Sequence, residues 1–348
     1  MADDLAPPLA APQQRRAPRP LPLFLELVRE VAAGDPALAK AALTGLRRYE
    51  EAEEPPPGRE RPVVASVDGT CLRDCGGDGP VLVLVPSLIN PPTILDLDPD
   101  CSLAEALARD RRVLLLDWGP AAERATLTLS EHVTRRLLPL LAEIGPAILA
   151  GYCLGGTLSL AAARLRPEVT AVVTLASPWH FSAYPESARA SLRQMLAGSA
   201  PVARHLGVLP MELLQSSFWM LDPERTVAKF ARFAMLEPGS AESRRFVALE
   251  LWANAGEALP LPAATELVET LFGADAPGRD CWLGGGLPDC PTLHVTASGD
   301  RIVPAASAAS GPRLDSPSGH VGMIVGRHAP ETLHAPLRQW LEGLGRRR

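Results

Sequence analysis

The stretch from Ala147 to Gly156, Ala-Ile-Leu-Ala-Gly-Tyr-Cys-Leu-Gly-Gly, constrains this chain more than any other. Ala147–Ala150 is a short apolar run, Gly151-Tyr152-Cys153-Leu154-Gly155 follows it, and Thr157–Leu165 reads as a helix. Strand, tight turn and helix in that order form a nucleophile elbow, the G-x-S-x-G arrangement with cysteine in the serine position. The flanking glycines are needed because the turn leaves no room for a Cβ. The nucleophile sits in a strained conformation at a helix N-terminus, where backbone N–H groups and a partial positive charge favour a thiolate and later an oxyanion. A buried structural cysteine in a glycine-rich turn is the competing reading. The strand before the motif and the helix after it favour the elbow.

Acid and base candidates lie downstream. Asp300 stands in Ser298-Gly299-Asp300-Arg301-Ile302-Val303-Pro304, just past the apolar run Pro291–Ala297. His320 stands in Ser318-Gly319-His320-Val321-Gly322, read as an exposed, glycine-flanked loop. The order Cys153, Asp300, His320 is the nucleophile, acid, histidine order of α/β-hydrolases. In it His320 takes the Cys153 proton or pairs with its thiolate, and Asp300 orients the imidazole. Among the other histidines, His132, His205 and His334 sit in helical contexts and read as surface or packing residues. His294 lies inside an apolar strand, and His328 lacks the glycine-flanked loop. His180, at the end of the strand Thr170–Ala176, falls where α/β sheets bind substrate and is a pocket candidate.

The run Val81–Val85 reads as a buried parallel strand. It leads into Pro86-Ser87-Leu88-Ile89-Asn90-Pro91-Pro92, the loop position that supplies one oxyanion-hole N–H. The candidates are the N–H groups of Ile89 and Leu154, with Asn90 and Tyr152 beside the substrate. The plain alternative for this loop is a proline-rich connector.

The remaining pattern is a doubly wound, mostly parallel α/β sheet. Val63–Val67 and Thr70–Arg73 flank Asp68-Gly69 as a hairpin. Arg112–Asp117 is a further strand, Ser102 caps a short helix, and Thr126–Ile144 is helical. The repeated strand, helix, strand rhythm implies parallel pairing. Residues 1–20 are rich in Ala, Pro and Arg and read as a disordered tail. Residues 21–57 are an N-terminal helical segment. Residues 58–184 and 287–348 are the two parts of the core, which closes with a helix over Thr332–Leu344 and the basic end Arg346–Arg348. Between them, 185–286 is too long for a connection and reads as an inserted helical cap.

Composition narrows the function classes. A net charge of −6 over 348 residues gives no electrostatic footprint for nucleic acid. No apolar run is long enough to span a membrane. Asp3 and Asp4 without an apolar stretch behind them predict no secretory signal, hence a cytoplasmic chain with reduced cysteines. The six cysteines show neither a CxxC pair nor zinc spacing, so no metal is expected. Thiolate attack on a thioester yields another thioester, which keeps the acyl group activated. Cysteine in the elbow therefore points to acyl transfer from a thioester, although cysteine hydrolases of this fold also exist.

Gly151-Tyr152-Cys153-Leu154-Gly155-Gly156 resembles the lipase-like box of the polyhydroxyalkanoate synthases. Pro86–Asn90 with Ile94-Leu95-Asp96-Leu97, Ser298–Pro304 and Ser318–Gly322 are similar to further segments of that family. The resemblance spans about residues 60–345 and implies an α/β-hydrolase core with a cap. It implies polymerisation of 3-hydroxyacyl-CoA into polyester with release of CoA, the chain being carried on Cys153. No cofactor is implied, since CoA is part of the substrate. A small second subunit or a homodimer, and the surface of a polyester granule, are the implied partners. Three places depart from the family pattern: Leu251–Gly256 lacks an expected Asp, His180 replaces an acidic residue, and Pro91-Pro92-Thr93 replaces an aromatic. A thioesterase or intracellular polyester depolymerase using the same residues, and a non-catalytic granule-associated protein, are the alternatives.

Overall fold

The structure is a computed structural model that describes residues 16–56, 58–99 and 101–345. Its centre is an eight-stranded sheet. The strands are β1 (Val63–Val67), β2 (Thr70–Gly76), β3 (Val81–Val85), β4 (Arg112–Asp117), β5 (Ala147–Tyr152), β6 (Val169–Leu175), β7 (Thr292–Ala297) and β8 (Arg313–Ser316). Their spatial order is β1-β2-β4-β3-β5-β6-β7-β8. The β1–β2 and β2–β4 pairs are antiparallel, and every other pair is parallel. This is the expected doubly wound, mostly parallel sheet of the α/β-hydrolase fold.

The apolar runs explain the layering. All six residues of β5 are buried, as are four of the five in β3, because helices cover both faces of a parallel sheet. Helix Leu154–Leu165 packs on β5 and β6 and is buried from Leu154 through Ala163. Sequence expectations for the edges need adjustment. The helix expected from Thr126 begins at Leu129, with Thr128 as its cap, and widens to π turns over Val133–Leu137. The β8 strand was not anticipated, since Arg-Leu-Asp-Ser has neither an apolar run nor alternation. Ser102 does cap its helix, accepting from the Glu105 N–H at 2.9 Å.

The chain divides into two compact units. One joins the N-terminal stretch through Pro55 to Pro223–Glu250, and the other comprises Pro56–Asp222 and Leu251–Arg348. The first contains helices Leu21–Val31, Pro36–Glu50 and Pro223–Phe233. Its core is aromatic: Phe24 and Phe230 lie 4.6 Å apart between ring centroids, and Phe233 stacks on Phe246 at 4.2 Å. Asp35 caps the second helix through the Leu38 N–H. Of the expected tail, residues 1–15 lie outside the described residues, as do Arg346–Arg348. Arg16 donates to the Ala52 carbonyl at 2.9 Å. The expected cap 185–286 is largely helical, but its 223–250 portion groups with the N-terminal helices and the rest groups with the sheet. It also holds a two-residue antiparallel pair, Val208–Leu209 with Leu259–Pro260. Among the described residues no helix is long and apolar enough to cross a membrane.

Candidate active site

The β5 strand ends at Tyr152, and Cys153 follows with φ 55° and ψ −129° as the N-cap of helix Leu154–Leu165. Few residues other than glycine adopt a positive φ, so the turn holds its cysteine under strain. Packing enforces that conformation. The Cys153 N–H donates to the Leu175 carbonyl of β6 at 2.9 Å, and its carbonyl accepts from the Gly156 N–H at 3.0 Å. A Cβ on Gly155 would lie 2.6 Å from the Pro86 carbonyl oxygen, and one on Gly151 would collide with Gly155 and Gly156. The glycines thus let the elbow close against the loop after β3, whose last residue Val85 pairs with Gly151.

Asp300 follows β7. Its Oδ1 accepts the N–H groups of Ile302 at 2.7 Å and Val303 at 2.9 Å. Its Oδ2 lies 2.7 Å from His320 Nδ1. With one oxygen locked by the backbone and a side chain 1% exposed, the carboxylate presents a fixed acceptor. His320 was expected to be exposed, but it is buried, at 8%. Its loop folds inward because Gly299 N–H donates to the Ser318 carbonyl and Tyr152 Oη donates to the His320 carbonyl at 3.4 Å. Burial opposes charge on the imidazole. Negative charge on Cys153 and hydrogen bonds to Asp300 and Cys153 outweigh it, raising His320 to about 10. Cys153, His320 and Asp300 therefore meet although 147 and 20 residues separate them in sequence. The arrangement can hold a thiolate against an imidazolium and return the proton to a leaving group.

Tyr152, expected beside substrate, is 2% exposed. Its ring lies 5.0 Å from the His320 ring, so it backs the histidine. His180 is half-buried, and its N–H shares the Ser307 carbonyl with the Trp179 N–H. Sequence reasoning missed Tyr184. It stacks on Phe181 and meets Phe272 edge-on. Burial raises the Tyr184 phenol well above 10, and the nearby charges of Cys153 and Asp300 raise it further, so it stays neutral beside the site. No local pattern marks it, because proximity alone brings it there.

At the expected oxyanion position, Leu154 is the first residue of its helix, whose first N–H groups have no intrahelical acceptor. The Ile89 N–H points at Ser87 Oγ over a long 3.4 Å, and Asn90 Nδ2 donates to the Ala253 carbonyl at 3.5 Å. The competing histidines are occupied elsewhere. Burial lowers His132 and His294 to about 4, where they stay neutral in the core, while His328 is exposed and accepts from Arg327. Burial also pushes the Cys75 thiol up to about 12, and Cys71 and Cys290 move the same way, which makes them poor nucleophiles.

No protein-family model matches the sequence. The chain is 26% identical over 292 residues to the poly(3-hydroxyalkanoate) polymerase subunit PhaC of Thiocystis violacea, covering 75% of this chain and 80% of that one. It is 26% identical over 288 residues to the protein of that name from Haloferax mediterranei, covering 76% of this chain but 58% of the relative. The corresponding Synechocystis protein is 27% identical over 297 residues, covering 75% and 77%. Among solved structures, a hydrolase from Pseudomonas aeruginosa PA01 aligns with a TM-score of 0.50 at 20% identity, over 81% of this chain and 98% of that one. The likeness to that structure concerns the fold alone.

Proposed function

We propose that this chain, a divergent polyhydroxyalkanoate-synthase-like α/β-hydrolase, is an acyltransferase that polymerises 3-hydroxyacyl-CoA into polyester through Cys153, His320 and Asp300. The observation that carries the reading is a cysteine held at the elbow, next to a histidine whose Nδ1 lies 2.7 Å from a carboxylate. The Cys153 thiolate attacks the thioester carbonyl, a new S–C bond forms, and the bond to the CoA sulfur breaks. CoA leaves as its thiol, taking the proton from His320. His320 then removes the proton from the 3-hydroxyl of the next acyl unit. That oxygen attacks the acyl-cysteine, an ester forms, and the Cys153 thiolate is regenerated. Asp300 holds the imidazole tautomer that both steps need. Ile89 and Leu154 donate to the oxyanion, while Asn90 and His180 flank the acyl chain.

This reading supplies acyl-CoA as substrate and a growing polyester as product, in the cytoplasm at the surface of polyester granules. The relatives carry the word subunit in their names, which fits a reading with a further subunit as partner.

The test is CoA release from 3-hydroxybutyryl-CoA by intact protein and by Cys153→Ala, alone and with a small second subunit, with product analysis. Cys153-dependent release with oligomer is expected. Free 3-hydroxybutyrate as sole product would reassign the same residues to a hydrolase. No release with 3-hydroxyacyl-CoA of any chain length would overturn the acyl-CoA reading.

A further inference from the structure

Arg124, in the loop after β4, is 3% exposed. A buried guanidinium is costly unless its donors are used. Its Nε donates to the Gly119 carbonyl at 3.2 Å and its Nη2 to the Leu88 carbonyl at 3.1 Å. Nη2 also lies 3.6 Å from Glu257 Oε2. That oxygen accepts the Ala121 N–H at 2.6 Å, and the Glu257 N–H donates to the Ile89 carbonyl at 2.9 Å. The Arg124 guanidinium and the Glu257 backbone N–H therefore hold two consecutive carbonyls of the loop after β3, and the Glu257 carboxylate lies against the guanidinium.

The consequence follows from peptide geometry. Leu88 C=O and Ile89 N–H belong to one planar peptide, and Ile89 C=O and Asn90 N–H to the next. Neither is cis, so in each the N–H points opposite to the C=O. Fixing a carbonyl fixes the direction of its amide. The start of the loop is tied down separately, by Trp118 Nε1 donating to the Pro86 carbonyl at 3.1 Å. What remains for Arg124 and Glu257 is the orientation of the 88–90 peptides beside the elbow.

We propose that Arg124 and Glu257 are positioning residues: Arg124 clamps the Leu88 carbonyl and so aims the Ile89 amide at the oxyanion formed when Cys153 attacks a carbonyl, while Glu257 pairs with Arg124 and steadies the next peptide through the Ile89 carbonyl. The proposal rests on the reading of Cys153 as an acyl-accepting nucleophile. The current Ile89 N–H contact to Ser87 Oγ, at 3.4 Å, is long enough for an oxyanion to displace it. Without the clamp the peptide is free to rotate, and the donor is lost although no residue of the triad has moved.

Two reagents separate the oxyanion from the nucleophile. With p-nitrophenyl acetate, the Cys153 sulfur bonds to the carbonyl carbon, the oxygen becomes anionic, and collapse expels p-nitrophenolate. With iodoacetamide, a sulfur–carbon bond forms, iodide leaves, and no oxyanion arises. Arg124→Met should slow acylation of Cys153 by p-nitrophenyl acetate on the order of 10²-fold, as loss of an oxyanion donor does, while alkylation stays within about 2-fold. Arg124→Lys, which keeps one donor near Leu88, should recover part of the loss. Glu257→Gln, at a half-exposed side chain, should move in the same direction by less. Equal loss towards both reagents, or none towards the ester, overturns the clamp. Wild-type protein inert to both reagents overturns the nucleophile reading and the clamp with it. A selective loss in a protein that releases no CoA from 3-hydroxyacyl-CoA sinks the proposed substrate and leaves the clamp standing.

Discussion

His320 Nδ1 lies 2.7 Å from Asp300 Oδ2, and the other oxygen of that carboxylate is held by the backbone N–H groups of Ile302 and Val303. The acid cannot turn away without losing two backbone bonds, so the pair is fixed before any substrate arrives. His320, raised to about 10, is charged through neutral pH.

That charge has a pH signature. A histidine raised above its ordinary value of 6.5 stabilises the fold fully below pH 6.5, and the contribution is lost as pH climbs through about 10. Asp300→Asn removes the carboxylate partner and should lower the His320 value. The stability gap between wild type and Asp300→Asn should therefore narrow between pH 6.5 and 10, read as urea midpoints and as the His320 ring signals in NMR. A wild-type His320 titrating at the ordinary histidine value would contradict this.

Cys153 should be a site where activity and stability oppose each other. Its φ of 55° strains any side chain, whereas glycine tolerates it. Cys153→Gly should be more stable than Cys153→Ala by about 1 kcal/mol, part of the usual 1–3 kcal/mol of such strain being offset by glycine's chain entropy. Both variants should lose on the order of 10³-fold or more in turnover. Denaturant midpoints for the two proteins decide the point, and an Ala variant at least as stable as Gly would argue against strain at the elbow.

Gly155→Ala sets helix propensity against packing. Alanine gains about 1 kcal/mol over glycine in a helix. The added Cβ meets the carbonyl oxygens of Val85 and Pro86, which are backbone atoms and cannot swing aside. The clash should win, with a net loss of about 1–3 kcal/mol in thermal unfolding. An unchanged melting temperature would show that the loop after β3 yields.

Tyr152 distinguishes support of the histidine from contact with substrate. Tyr152→Phe keeps the ring against His320 and loses one hydroxyl bond, so it should cost about 1 kcal/mol in stability and leave KM unchanged. Tyr152→Ala also removes the packed ring and should cost about 3–5 kcal/mol. A raised KM in the Phe variant with stability intact would restore a substrate contact.

Much of this was legible in sequence where chemistry depends on local order. A strand, a glycine-bounded cysteine and a helix are contiguous, so their geometry can be read from neighbours. The acid and the histidine could be named because each follows a recognisable strand end or glycine-flanked loop. The short polar strand Arg313–Ser316 escaped, since β7 beside it makes it a strand rather than its own residues.

The sequence by itself determined the fold class and the chain order Cys153, Asp300, His320, because apolar runs and glycine positions encode local conformation. Tertiary structure alone decided the rest. It buried His320, turned Tyr152 inward behind it, brought Tyr184 to the site, and tied Arg124 to the Leu88 carbonyl 36 residues away. It also grouped Pro223–Glu250 with the N-terminal helices through aromatic packing around Phe230. Contacts between residues far apart in the chain depend on which surfaces meet when the sheet and helices close, and no local pattern records that.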